Sequence, residues 1–129
     1  GPERANIGFA WPEYLAHGTT LAFGTDAPTA PHPALPNMYI AATRRSPYVP
    51  EAEPLRPDWS LPLEDAVAHG TRDSAWASFE EHRRGMLRAG LAADVVILDG
   101  DPFRDGPPSL LRTRVSHTFV GGIRCAHGQ

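Results

Sequence analysis

The sequence predicts a mixed α/β fold whose character changes along the chain. Expected helices and loops dominate as far as about residue 84, and short apolar strands dominate after it. Two proline-rich stretches, 28–36 and 46–62, are expected to be loops, because proline disfavours helix interiors and central strands. The shift in composition near Gly85 marks the expected domain boundary. It divides the chain into residues 1–84 and residues 85–129.

The first expected elements are a short helix and a strand. Residues 11–17 have Pro12 in the first turn and Gly18 just past the end, which is the usual placement of these residues around a helix. Residues 19–23 form an apolar run rich in strand-favouring side chains, and Gly24 closes it. We therefore expect a helix followed directly by a strand.

The later helices are expected at residues 38–45 and from residue 63 to about residue 84. Apolar side chains in the second segment recur at helical spacing, and Gly70-Thr71 is expected to divide it into two helices. Trp76 and Phe79 share this spacing, so we expect them in the core.

The last third of the chain reads as β structure. Residues 94–98 form a short apolar strand, and residues 115–120 and 123–126 form two more, joined by Gly121-Gly122. Two glycines between strands are typical of a tight hairpin, because glycine accepts the positive φ angles that such a turn requires.

Composition excludes several classes of function. The 129 residues carry a formal net charge of −3, which does not favour nucleic acid or an anionic membrane. No apolar run approaches the roughly 18 residues of a membrane span. The single cysteine, Cys125, cannot form an internal disulfide, so a cytoplasmic location is expected.

Asp26 is the first candidate for chemistry, because it follows the expected strand at 19–23. Strands of α/β barrels place catalytic side chains at their carboxyl ends, where the side chains meet in a common mouth. A carboxylate there can bind a divalent metal and accept a proton from a water whose pKa the metal lowers to about 7. The alternative is an aspartate that caps a turn beside Pro28.

His32 is the second candidate, as a substrate contact, because it lies six residues after Asp26 in the proline-rich loop. The alternative is an ordinary loop residue. No pair of histidines has the spacing of a known metal-ligand motif. The remaining histidines are expected to be surface, helix or tail residues: His17, His69, His82, His117 and His127.

The order of these segments resembles the C-terminal third of amidohydrolase-superfamily enzymes, specifically the amidohydrolase family 3 branch that includes N-substituted formamide deformylases. The final strands at 115–124 agree with this resemblance. Four stretches carry it: residues 21–28 (LAFGTDAP), residues 41–45 (AATRR), residues 63–67 (LEDAV) with Thr71, Ala75 and Ala77 after them, and residues 85–103 (GMLRAGLAADVVILDGDPF).

The resemblance implies both an architecture and a reaction. Residues 1–84 would be the last strand and outer helices of a (β/α)8 barrel, and residues 85–129 would be strands of a small composite β-sandwich. The parent enzyme would hydrolyse the C–N bond of a small amide or N-substituted formamide with metal-activated water. Asp26 would be both a ligand of the divalent metal, zinc by expectation, and the group that passes the water proton to the leaving amine.

The remaining metal ligands of the family, an H-x-H pair, a carboxylated lysine or acidic residue and two further histidines, would all precede residue 1. We therefore expect this chain to be incomplete by itself, and to pair with the missing barrel portion or to form a homo-oligomer. His32-Pro33 stands where the family often has Asp-Pro, which leaves the substrate contact open. Two other functions remain open: a non-catalytic binding or assembly module from a degenerate or split gene, and a metal-dependent deaminase of the same superfamily.

Overall fold

A computed structural model describes residues 1–5, 7–49 and 51–126. Six α-helices, two 3₁₀ turns and three strands lie in these ranges. In chain order they are α1 (Pro2–Ala5), α2 (Trp11–Ala16), α3 (Leu35–Thr43), a 3₁₀ turn (Pro57–Trp59), α4 (Leu63–Gly70), α5 (Arg72–Ala77), β1 (Val95–Leu98), α6 (Pro102–Asp105), a second 3₁₀ turn (Pro107–Leu111), β2 (Val115–Val120) and β3 (Ile123–Arg124).

The three strands form one antiparallel sheet in the order β1-β2-β3. Both glycines of the β2–β3 turn have positive φ, 57° at Gly121 and 80° at Gly122, as the hairpin prediction required. Their backbone N–H groups also bind the segment before β1: Gly121 donates to the Asp94 carboxylate at 2.8 Å, and Gly122 donates to the Ala93 carbonyl at 2.9 Å. The predicted strand and hairpin are confirmed, with β3 ending at Arg124.

Helices α4 and α5 confirm the predicted break at Thr71, whose backbone leaves the helical region at φ −127° and ψ −82°. Helix α5 ends at Ala77, well before the expected end near residue 84. The core prediction for Trp76 and Phe79 is wrong, because Trp76 is half exposed and Phe79 is 90% exposed. Phe79 follows the helix with a positive φ of 60°, which turns its side chain out of the helical series.

The core lies between α3 and α4. These helices bury residues at helical spacing, as two packed amphipathic helices must. Leu110, from the 3₁₀ turn after α6, packs into the same core and is only 2% exposed. The buried members of this core are Met38, Tyr39, Ala41, Leu61, Leu63, Ala66 and Leu110.

Residues 19–23 are not a strand, contrary to the prediction. A strand needs a neighbouring strand to pair its backbone groups, and no described strand lies against this segment. The N–H of Phe23 instead donates to the carbonyl of His69 at 3.1 Å, so the segment is attached to the junction of α4 and α5.

The second proline-rich loop, whose Pro50 lies outside the described residues, is closed at its base by Arg44. The Arg44 Nε donates to the Leu55 carbonyl at 2.9 Å, and the Leu55 N–H donates back to the Arg44 carbonyl at 3.1 Å. The Arg44 guanidinium also lies 4.5 Å from the centre of the Trp11 ring. Burial lowers the pKa of Arg44, and the guanidinium stays charged at neutral pH, as arginine does in proteins. The loop is therefore tied to α3 and α2.

Candidate functional site

Asp26 lies at the start of the exposed segment between Phe23 and α3. Its φ of 57° is in the left-handed region, which aspartate tolerates better than most residues. Its backbone carbonyl accepts a hydrogen bond from Ala30 at 3.2 Å, and the Ala27–Pro28 peptide bond is cis. The side chain is exposed, and no group in the described ranges forms a hydrogen bond or ion pair with the carboxylate. The carboxylate is thus available to a ligand.

Three hydrogen bonds hold the backbone just before Asp26. The Phe23 N–H donates to the His69 carbonyl at 3.1 Å, and the Ser74 hydroxyl lies 3.0 Å from the Phe23 carbonyl. The Asn37 side-chain amide, from α3, donates to the Gly24 carbonyl at 2.8 Å. Groups from three helices therefore determine where the Asp26 segment leaves the core.

A hydrogen-bonded network around the buried carboxylate of Asp73 lies behind this attachment. His69 Nδ1 is 2.7 Å from Asp73 Oδ2, and both side chains are less than a tenth exposed. Arg72 donates to the same carboxylate through Nε at 2.6 Å and Nη2 at 3.0 Å. Burial alone would raise the pKa of Asp73, but the hydrogen bonds from Arg72 and His69 outweigh it and hold that pKa below its usual value. Asp73 therefore stays ionised at neutral pH.

Sequence reasoning did not single out this network. The available signal was the spacing: His69 and Asp73 are four residues apart, so across the α4–α5 break they face the same side. The His69 ring also meets the Phe23 ring edge-on, with 5.4 Å between centroids. His69 Nε2 is buried, and no partner for it occurs in the part of the chain that the structure describes.

An open apolar groove of about 310 Å³ lies beside the segment that leads to Asp26. Aromatic rings form one wall, with the Trp11 and Phe23 centroids 5.8 Å apart. Asn37 is the polar residue among those that line it, and its amide is bound to Gly24. The lining residues are Phe9, Trp11, Leu21, Ala22, Phe23, Gly24, Asn37 and Ile40.

His32 is exposed on the same segment as Asp26, and no hydrogen bond or ion pair joins the two within residues 1–5, 7–49 and 51–126. The predicted substrate contact therefore stays a prediction. His127 lies outside the described residues. Within the described residues, no three histidine, cysteine or acidic side chains are grouped so that they could hold a metal ion. A catalytic zinc site needs about three protein ligands, so Asp26 and its described neighbours do not form one by themselves.

None of the helices that the structure describes is long and apolar enough to cross a membrane.

Comparison with known proteins places this arrangement in context. The sequence profile of the amidohydrolase family matches residues 1–125. YtcJ of Bacillus subtilis (strain 168), a protein named as an amidohydrolase, is 30% identical over 122 residues, which are 95% of this chain and 23% of YtcJ. The N-substituted formamide deformylase of Arthrobacter pascens is 27% identical over 109 residues, 84% of this chain and 20% of that enzyme.

A solved structure is also similar. The crystal structure of an amidohydrolase from Thermotoga maritima MSB8 superposes with a TM-score of 0.63 at 21% identity, over 91% of this chain and 25% of that one. This likeness concerns the fold. The chain spans about a fifth to a quarter of the length of each of these proteins. Because the profile match covers residues 1–125 of the 129, the chain belongs to the amidohydrolase family.

Proposed function

We propose that this chain is the C-terminal part of a metal-dependent amidohydrolase that hydrolyses the C–N bond of a small amide or N-substituted formamide. Asp26 is its metal-site carboxylate and proton acceptor, and His32 contacts the substrate. Residues 1–84 supply the last strand and outer helices of a (β/α)8 barrel, and residues 85–129 supply strands of a β-sandwich. The metal is zinc, and its other ligands come from outside this chain.

The observation that carries this proposal is the state of Asp26. The chain belongs to the amidohydrolase family, and the backbone of Asp26 has an unusual positive φ. Its carboxylate is exposed and is not paired with any described cation. An aspartate that merely capped a turn would accept hydrogen bonds from nearby backbone N–H groups, and none of the described N–H groups donates to its side chain. The name of the Arthrobacter pascens relative supports the substrate class.

The surface of the chain supports a large missing partner. A compact 14.0 kDa protein is expected to expose about 6,700 Å², whereas this chain exposes 8874 Å². The excess of about 2,200 Å² exceeds the roughly 800 Å² that one partner buries in a standard interface. Large apolar side chains contribute to it, including Phe9, Leu87 and Ile123. We propose that the upstream barrel portion covers this surface, in the same polypeptide or another chain, and that a homo-oligomer is the alternative.

We propose a cytoplasmic location for the enzyme, since the single cysteine of this chain, Cys125, has no second cysteine here with which to form a disulfide.

The test is Asp26→Asn in the complete enzyme that contains this chain. Asparagine has nearly the same shape and also tolerates the left-handed backbone, so the fold is preserved while the proton acceptor is lost. We expect kcat on a small N-substituted formamide to fall by a factor of about 10² to 10⁴. Asp65→Asn is the matched control, since it removes the same charge from an exposed aspartate in the first turn of α4. Retention of most activity in Asp26→Asn would refute the assignment.

Metal content separates this proposal from its alternatives. Elemental mass spectrometry on the 129-residue chain should find almost no tightly held metal, and the complete enzyme should hold it. If the complete protein binds neither metal nor amides, the non-catalytic assembly module is the better description. If the complete protein releases ammonia from a ring amine and leaves amides intact, the metal-dependent deaminase is the better description.

A further inference from the structure

Ser74 occupies a special place at the break between α4 and α5. Its hydroxyl oxygen is 2.7 Å from the carbonyl of His69 and 3.0 Å from the carbonyl of Phe23. The same His69 carbonyl accepts the Phe23 N–H at 3.1 Å. One side chain therefore contacts both carbonyl groups at the point where Phe23 is attached to the junction of α4 and α5.

The break between the helices creates this attachment. In an uninterrupted helix, the carbonyl of His69 would accept the N–H of residue 73. The non-helical backbone at Thr71 leaves that carbonyl free to accept from Phe23 and Ser74 instead. The hydroxyl has one proton, so it donates to the two carbonyls in alternation or shares the proton between them.

The buried pair of His69 and Asp73 holds the break in this shape. Their side chains are joined at 2.7 Å across the junction, and Asp73 stays ionised because its donors outweigh the effect of burial. The His69 ring also packs edge-on against the Phe23 ring, with 5.4 Å between centroids. Ring contact and hydrogen bond thus act on one residue, Phe23, which is three positions before Asp26.

We propose that Ser74 is a positioning residue for Asp26, supported from behind by the His69–Asp73 pair. Ser74 does not touch the carboxylate. It fixes the exit of the backbone at Phe23, and the Asn37 amide holds the carbonyl of Gly24, the next residue, so two adjacent residues just before Asp26 are held by hydrogen bonds. The inference rests on the proposed role of Asp26, because a carboxylate that takes no part in the reaction would have no need of accurate placement.

The experiment compares Ser74→Ala with Ser78→Ala in the complete enzyme. Ser78 is the matched control, because its hydroxyl also donates to a backbone carbonyl, that of Ser74, at 3.0 Å, but it does not touch residues 21–26. Two quantities are measured: kcat and KM per folded enzyme, with the folded fraction taken from circular dichroism, and hydrogen exchange of peptides that span residues 19–26. The substrate is the same small N-substituted formamide.

For Ser74→Ala we expect kcat per folded enzyme to fall about 10- to 100-fold, with KM within about twofold. A purely structural role would lower activity only through the folded fraction. Exchange at 19–26 should become about fivefold faster, the effect of one net hydrogen bond. Ser78→Ala should change neither quantity.

Three results would overturn the inference: unchanged exchange in Ser74→Ala, faster exchange with unchanged kcat, or equal losses in Ser78→Ala. Failure of the proposed function looks different. In that case the unmodified enzyme has no amide-hydrolysing activity with metal bound, while exchange still responds to Ser74→Ala. The attachment at Phe23 would then be real, and the positioning role would fall together with the role of Asp26.

Discussion

Asp73 forms two side-chain contacts of almost equal length, one with His69 and one with Arg72, and we predict that only one of them contributes substantially to stability. His69 Nδ1 lies 2.7 Å from one carboxylate oxygen, and Arg72 Nε lies 2.6 Å from the other. Distance does not distinguish the pairs, but exposure does. The side chains of His69 and Asp73 are 7% and 8% exposed, whereas that of Arg72 is 52% exposed.

The magnitudes follow from that difference. An exposed ion pair contributes about 0.2–1 kcal/mol, because water competes for the charges and ordering the arginine side chain costs entropy. A buried hydrogen bond to a charged group contributes about 1.5–3 kcal/mol, and removal of one partner leaves the other unsatisfied. We therefore expect a coupling energy of about 2 kcal/mol between His69 and Asp73. The coupling between Arg72 and Asp73 should be below about 1 kcal/mol.

Two double-mutant cycles measure these couplings. One combines His69→Ala with Asp73→Ala, and the other combines Arg72→Ala with Asp73→Ala. The free energy of unfolding comes from urea titration, followed by tryptophan fluorescence. Trp59 is only 8% exposed, and Trp11 and Trp76 contribute to the same signal. A coupling for Arg72 that equals or exceeds that of His69 would refute the reasoning, since burial would then not decide between the pairs.

Three further predictions concern the core, acid stability and a close contact. Leu110→Ala should lower the free energy of unfolding by about 3 kcal/mol in urea titration, because it leaves a cavity beside Met38; a loss below 1 kcal/mol would mean that the turn carrying Leu110 does not pack on α3. The pKa of Asp73 is lowered in the folded state. The stability that the ionised carboxylate contributes is therefore complete above the pKa of Asp73 in the unfolded chain, about 3.9, and is lost as the pH falls through the folded pKa. The decline in stability below about pH 4 should thus be shallower in Asp73→Asn, and an identical pH profile would contradict the assignment. Gly85→Ala should lower the melting temperature by several degrees, because Gly85 has a φ of 100° and a new Cβ would lie 2.7 Å from the Cβ of Ala75. Gly90→Ala is the control, since Gly90 also has a positive φ but a Cβ there meets no atom within 4 Å. An equal loss in both variants would exclude the contact with Ala75 as the cause.

Local signals predicted the later part of the fold well. Three predictions were confirmed: the Gly121-Gly122 turn, the strand that ends at Leu98 and the break at Thr71. Each of these features depends on the backbone preferences of a few adjacent residues. Family membership was also predicted correctly, since several short motifs in a given order are more specific than any one of them. The division at Gly85, the barrel and the sandwich stay predictions.

Long-range contacts account for what the sequence did not predict. Residues 19–23 have strand-like composition, but a strand forms only against a neighbour, and here Phe23 binds the α4–α5 junction instead. Trp76 and Phe79 have helical spacing, but Phe79 lies beyond the early end of α5, and Trp76, inside α5, is half exposed. Sequence reasoning singled out Asp26 and His32 because of their positions in the chain, whereas the anchor at Ser74 depends on a contact between residues 51 positions apart.

The sequence by itself determined the mixed α/β character, the hairpin, the helix break and the family, because these follow from local backbone preference and from the order of motifs. Only the tertiary structure decided which groups attach the Asp26 segment to the helices and which partner of Asp73 is buried. Both depend on how the helices pack together. We expect burial to separate the two contacts of Asp73 in energy, because water competes for the exposed Arg72 side chain and is excluded from His69.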